Sequence, residues 1–509
     1  MSSPNRLLLT VAVMTAVVLQ VLDITIVNVA LPYMQGSFSA APDQITWVLT
    51  SYLVCSAIFM PLTGYFTDRL GRRRYLLLSI AGFVTASALC GASESLSEMV
   101  FFRLLQGVCG SGLVPLSQAI LVDTYPLNER GKAMALWGIG VMVAPILGPT
   151  LGGYLTDAFS WRWTFYINVP VGLLSFLLSM RVIPDTEKKA RGMDWTGLAL
   201  MSVAVGGLQL VLDRGNQEDW FSSRLIQVTA AASALGLAGF LAHSLTRGAG
   251  TLFNLRIFRD RNFALASLLI AVFGLGMYGN MAMQPLLLEG LLNYPAFTAG
   301  LVMAPRGLAS MLSMILVGRL VNRVGPQPLV AIGIVIAAFG TYATTWYSLD
   351  VDPWWVVWPI LVQGFGMGMV FVPLTVVAFA TLPKPSVPEA TGLYSLLRTV
   401  GSSVGIAIVA TVLTRQTQVA WNTLGGHITA FNPAVYEFLR TLHLKLSNPL
   451  APEALGMELS RQAQMVAFID VFMFITWSFL AMLPLVLMLR QRKSGAAAAR
   501  GEAPHAAFE

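Results

Sequence analysis

Residues 64–74 read GYFTDRLGRRR. Arg69, Arg72, Arg73 and Arg74 crowd this short stretch, yet the residues on either side, 45–66 and 75–93, are strongly apolar. Each flank holds about 20 residues, which at a rise of about 1.5 Å per residue is enough helix to cross the roughly 30 Å hydrocarbon layer of a bilayer. The stretch therefore reads as a basic connection between two membrane spans. A basic flank explains the arginines. It does not explain the spaced glycines, Gly64 and Gly71, or the acid between them, Asp68.

The rest of the chain supports the membrane reading. Of 509 residues 56% are hydrophobic and only 11% are charged, and the mean hydropathy is +0.69. A soluble domain carries charge on about a quarter of its residues, so most of this chain's surface does not face water. Roughly fourteen apolar runs are long enough to span. They include 7–31, 99–122, a glycine-rich run at 131–158, 196–213, 224–245, 390–413 and 466–490. The first run is too long for a cleavable signal peptide and lacks a small-residue cleavage site.

Sorting Lys and Arg onto alternate sides, with the N-terminus inside, puts roughly 22 inside and about 7 outside, the sign the positive-inside rule requires. Both termini are then cytoplasmic. The net charge of +7 reports this topology and not nucleic-acid binding. Cys55, Cys90 and Cys109 match no metal or disulfide spacing, and no GxxxxGK[ST] loop is present. No metal, cofactor or ATP site is expected, nor any catalytic constellation. Residues 414–465 read as a long external loop in which VYEFLRTLHLKL has the pattern of an amphipathic helix. The end of the chain is a low-complexity tail.

Ionisable side chains deep in the spans are functional candidates, because burying them in hydrocarbon is costly. Four stand out: Asp23, Arg103, Arg306 and Arg398. Asp23 lies about 16 residues into the first span, roughly 24 Å from its inner end. Gln20 shares its helix face. Arg103, with Gln106 three residues on, enters the fourth span near its outer end, so Asp23 and Arg103 fall in the same half of the membrane. They are expected to meet directly or through Gln20 and Gln106. Two roles fit: a carboxyl that takes a proton from one side and releases it to the other, or a fixed ion pair holding two helices. Asn28, Arg306, Arg398 and Glu289 complete the expected cavity. One acid facing three bases disfavours multivalent cations and points to neutral lipophilic or weakly acidic cargo.

On these residues the chain resembles the major facilitator superfamily. Gly64, Asp68, Arg69, Gly71, Arg72 and Arg73 match the family's signature between the second and third helices, with Phe66 where leucine is usual. The resemblance implies that these charges form a conformational lock with Asp123 at the inner end of helix four. FFRLLQGVCGSG at 101–112 resembles the fourth-helix motif, whose arginine is tied to proton coupling. APILGPTLGG, with Gly148, Pro149, Gly152 and Gly153, resembles the fifth-helix antiporter motif; Ala144, Gly148 and Gly152 recur every four residues and leave one helix face bare. LDITIVNVALP at 22–32 is similar to the first-helix motif of the fourteen-span drug:proton antiporters. WRWTFYINVP and LDRGNQEDWFSS look like the EmrB branch of that EmrB/QacA-type group.

The resemblance implies an all-α polytopic membrane protein with two six-helix bundles, at 1–190 and 251–490, two inserted helices at 191–250, and a cytoplasmic tail at 491–509. It further implies a proton-coupled multidrug exporter of the bacterial inner membrane that works by alternating access. A periplasmic adapter and an outer-membrane channel are the implied partners. A proton-coupled importer of a nutrient, or an exporter of one metabolite, is the alternative.

Overall fold

The computed structural model describes residues 3–126, 129–188, 192–247, 251, 255–429 and 431–489. Among these residues there is no strand. In hydrocarbon every backbone N–H and C=O must be bonded within its own segment, so the apolar runs fold as helices. Six lead the chain: α1 Ser3–Phe38, α2 Trp47–Leu70, α3 Arg72–Ala92, α4 Leu96–Thr124, α5 Arg130–Ala158 and α6 Trp163–Val182. A hairpin follows, α7 Trp195–Arg214 and α8 Arg224–Arg247. The second half holds α9 Arg261–Leu291, α10 Ala296–Val324, α11 Pro326–Ala343, α12 Pro353–Ala380, α13 Val387–Gly425, α14 Pro433–Thr441 and α15 Ala451–Leu487.

Thirteen helices among the described residues are long and apolar enough to cross a membrane. The glycine-rich segment, α5, is a continuous helix of 29 residues packed between α1 and α10.

The two halves repeat one joint. Gly71, between α2 and α3, has φ +85°, and Gly325, between α10 and α11, has φ +88°; a side chain at either position would be strained. Each closes an eight-residue stretch that opens on glycine, GYFTDRLG and GRLVNRVG. The opening glycines each meet the other bundle. A β-carbon at Gly64 would lie 2.9 Å from Glu389 of α13, and one at Gly318 would lie 2.9 Å from the Ala135 side chain of α5. Gly392 sits equally close to the Met60 carbonyl, and Arg130 donates to the Phe379 carbonyl at 3.3 Å. The bundles are thus shut against each other at the arginine-rich end.

The hairpin α7–α8 holds both bundles. Along α2, Gly206 leaves room for Ile58, whose Cδ1 would be 3.1 Å from a β-carbon, the Thr50 hydroxyl donates to Asp213, and the Arg214 guanidinium lies 4.4 Å from the Trp47 ring centre. Along α13, Gln209 Nε2 donates to Ser403 at 2.8 Å and Trp220 Nε1 donates to Thr411 at 3.0 Å.

The stretch read as a loop, 414–465, is mostly helical. α13 runs 39 residues to Gly425, about 58 Å at the helical rise, and α15 begins at Ala451. Apolar content marks where lipid ends, whereas the helix continues as long as its neighbour covers it, and here α13 packs along α15. The expected amphipathic helix forms as α14, with Val435 and Leu439 buried beside Ala451. Its HLKL end leaves the helix at His443, whose φ is +56°. The tail from residue 491 lies outside the described residues. At the start of α12, Trp354 and Trp355 are exposed, as an interfacial belt would be.

Candidate functional site

The deepest polar cluster lies among α1, α2, α3, α4 and α6. Two backbone features assemble it. Gly107 brings α4 against α2, since a β-carbon there would lie 2.6 Å from the Tyr52 carbonyl. This approach lets Arg103 Nε donate to the Val48 carbonyl at 2.9 Å. On the other flank α5 presses its bare face on α1: a β-carbon at Gly148 would collide with the Thr25 hydroxyl, and one at Gly152 would lie 3.0 Å from Ile26. Thr25 in turn donates to the Ala144 carbonyl at 3.4 Å. The four-residue spacing thus fixes α1 two residues beyond Asp23. Gly153 points away, with nothing within 4 Å of its β position, and the Pro149 side chain lies outside the described ones.

Asp23 and Arg103 are both fully buried and paired, Nη1 to Oδ2, at 2.7 Å. The other carboxylate oxygen, Oδ1, accepts from Gln106 Nε2 and from Asn168 Nδ2, each at 2.8 Å. Arg103 Nη1 also donates to Gln106 Oε1 at 2.8 Å, and its guanidinium carbon stands 4.4 Å from the Tyr52 ring centre. Asn168 continues the chain to Ser87 Oγ at 3.0 Å, and Ser87 donates to the Phe165 carbonyl at 2.9 Å. Three donors on one carboxylate suit its charged form, and the low dielectric around them makes each bond count. A buried ion pair with one partner removed is strongly destabilised. A change in the charge of Asp23 therefore has to be answered by movement of these side chains.

The sequence brought Asp23, Arg103 and Gln106 together, as the structure does. Gln20 does not bridge them. α4 breaks at Ser111 and Gly112, which leaves the Val114 amide without a helical partner; Gln20 Oε1 accepts from it at 3.0 Å. Asn28 is exposed, outside the cluster. Glu289 is also exposed, in a π-helical turn, Leu286–Leu291, and is not a second buried acid. Asn168 and Ser87 were missed because an inventory of charges passes over carboxamides and hydroxyls. Asp213, inside α7, was missed as well.

In the other bundle Arg306 is buried on α10. Gly364 of α12 packs on its backbone, since a β-carbon there would lie 2.3 Å from the Arg306 carbonyl. Its one hydrogen bond is Nη2 to Asn280 Oδ1 at 3.2 Å, and Nε has no partner. It caps no helix carbonyl. Arg398 on α13 places its guanidinium 5.8 Å from the Trp137 ring centre of α5, across the bundle boundary. Neither arginine reaches Asp23.

At the arginine-rich end Arg72 pairs with Asp123, the pairing of loop and helix four that the signature implies. Arg69 donates to the Tyr65 hydroxyl at 2.6 Å and Arg73 to the Met180 carbonyl. A β-carbon at Gly71 would lie 2.5 Å from the Asp185 carboxylate. Cys55, Cys90 and Cys109 are free thiols, and no group of metal-ligating side chains forms among the described residues.

A basic joint that occurs in both halves, paired bundles and a buried acid–arginine couple are the features of a polytopic membrane transporter. The profile of the Major Facilitator Superfamily matches residues 13–406, and the chain belongs to that superfamily. Among curated proteins it is 33% identical over 486 residues to the multidrug export protein EmrB of Escherichia coli K12, covering 94% of each chain. It is also 33% identical to the fatty acid resistance protein FarB of Neisseria gonorrhoeae, over 93% of this chain and 94% of that one. Among solved structures the human organic anion transporter MFSD10 superposes with a TM-score of 0.63 at 16% identity, over 95% of this chain and all of that one, a likeness of fold.

Proposed function

We propose that this protein is a multidrug exporter of the bacterial inner membrane, driven by proton entry, and that Asp23 is the group that carries the proton. The observation that carries the reading is the fully buried Asp23–Arg103 pair, an acid whose charge can be switched by one proton in a place where an unbalanced charge is expensive. With the charge present, Arg103 is held and α1 is tied to α4. On protonation the tie weakens, and the bundles are free to exchange which end is shut. The arginine-rich end, closed here by Gly64, Gly318 and the Arg130–Phe379 bond, is the cytoplasmic end on the positive-inside argument, with both termini on that side. The bundles are taken as 1–190 and 251–490, with 191–250 inserted between them.

The cargo is a lipophilic compound, neutral or weakly acidic. Arg306 and Arg398 are buried cations whose neighbours are an amide and an indole, so an anionic or electron-rich group would be received better than a second cation. A relative named for fatty acid resistance agrees with this. The chain acts as a transporter and not as an enzyme. A periplasmic adapter and an outer-membrane channel complete the pump, with the adapter docking on the projection of α13, α14 and α15, where Trp421, Phe431 and Met457 are exposed.

The test is dye transport in proteoliposomes under an imposed proton gradient. Native protein is expected to accumulate a lipophilic dye against its gradient. Asp23→Asn is expected to keep only binding and downhill exchange; uphill transport by that variant at the native rate would refute the reading. Strong export of dications with no export of weak acids would refute the assignment of cargo.

A further inference from the structure

Asn168 occupies the first position of the helix that begins after Ile167 within α6, fully buried. Its amide nitrogen makes two bonds, to Asp23 Oδ1 at 2.8 Å and to Ser87 Oγ at 3.0 Å. Its oxygen, equally buried, has no partner among the described residues, and neither has Arg103 Nη2. A buried carboxamide with a filled donor side and an empty acceptor side is unusual, because leaving a buried polar atom unpaired is costly. The charged carboxylate needs the donor side. A protonated carboxyl carries an O–H of its own and needs the acceptor side.

We infer that Asn168 is a positioning residue that reads the protonation state of Asp23, donating to the carboxylate when it is charged and turning its amide to accept from the carboxyl when it is protonated. The inference rests on the reading of Asp23 as the proton carrier. The step forms one O–H bond on Asp23, with a proton taken from water, and breaks it again when the proton leaves on the opposite side. When the amide turns, Nδ2 lets go of Ser87, which stays bonded to the Phe165 carbonyl. The link from α1 through α6 to α3 opens at the moment the ion pair weakens. In this way one proton loosens two helix contacts, Asp23 with Arg103 and Asn168 with Ser87. The titratable and charged groups facing Asp23 are Tyr52 from α2, Cys90 from α3 and Arg103 from α4. Gln106 and Asn168 are neutral in both states, and α5 contributes only its bare face at Thr25.

The experiment is the pH profile of gradient-driven dye transport in proteoliposomes for the native protein, Asp23→Asn, Asn168→Leu and Ser87→Ala. Leucine keeps the volume of Asn168 and removes both its donor and its acceptor. Loss of a donor aimed at the charged carboxylate favours the neutral form, so the half-maximal pH of Asn168→Leu is expected to move up by about one unit while uphill transport persists. Ser87→Ala, which frees the amide without deleting it, is expected to move it the same way by less. A profile superimposable on native in both variants, with Asp23→Asn inactive, overturns the role of Asn168 and leaves Asp23 as carrier. Uphill transport by Asp23→Asn instead overturns the reading of Asp23 itself. Should Asn168→Leu fail to reach the membrane, Ser87→Ala decides alone: an upward shift supports the inference and an unmoved profile overturns it.

Discussion

Each bundle buries an arginine, and the two are treated differently. Arg103 has an acid at 2.7 Å, a carbonyl, a carboxamide and an aromatic face. Arg306 has one amide oxygen at 3.2 Å and an unpartnered Nε. The first is an ion pair whose acid is proposed above as the proton carrier. The second has no acid paired with it among the described residues, and its neighbours are the Asn280 carboxamide and the Tyr347 phenol. On the proposed reading the contrast divides the labour, with the N-terminal bundle answering to protons and the C-terminal bundle receiving the cargo.

The largest effect is expected from removing one member of the Asp23–Arg103 pair. Arg103→Leu leaves Asp23 buried without its cation and is expected to destabilise the protein by roughly 3–5 kcal/mol, read as a fall in the melting temperature of detergent-purified protein. The double variant Asp23→Leu with Arg103→Leu is expected to recover most of that stability, because both charges leave together, while uphill transport stays absent. A double variant as unstable as the single one would mean the pair is not the source of the loss.

Next in size are the glycines that seat each arginine's surroundings. Gly364→Ala drives a methyl group into the Arg306 backbone, which has no way to yield, and is expected to cost about 1–3 kcal/mol. Gly148→Ala meets the Thr25 hydroxyl, which can turn away, and then the fixed Thr25 β-carbon at 2.7 Å, farther than the 2.3 Å to the Arg306 carbonyl, so its melting temperature should fall less. Equal losses would show that the two helix contacts are equally rigid.

Arg306→Leu acts on the C-terminal bundle. Stability is expected to hold or rise, since an unbalanced buried charge is lost. Transport of a weakly acidic dye should fall by about tenfold, the size of one lost charge-assisted hydrogen bond, with a neutral dye unaffected. The smallest effect belongs to Gly153→Ala, where the β position is open; its melting temperature is expected to stay within experimental error of native, which separates the packed glycines of the motif from the free one.

Much of this was written in the sequence. Apolar run length gave the helices, because hydrocarbon permits little else, and counting along two antiparallel helices was enough to bring Asp23 to Arg103. Helical arithmetic failed where a helix is interrupted. Gln20 shares the face of Asp23, yet the break in α4 frees the Val114 amide and captures it. Asn168 was in view within WRWTFYINVP but carries no charge, and its importance comes from a contact across 145 residues of chain. The length of α13 was hidden because hydropathy reports the lipid boundary and not the end of a helix.

The hairpin α7–α8 has one further consequence. Its grip on α2 at Asp213 and Arg214 and on α13 at Gln209 and Trp220 makes the molecule a three-bar linkage. Two bars sharing a pivot swing freely, but a third fastened to both sets the stroke. The grip on α2 includes a charged, ring-stacked arginine, whereas that on α13 is made of neutral side-chain bonds. Any parting of the bundles at that end would strain the neutral bonds to Ser403 and Thr411 as well as the contacts with α2.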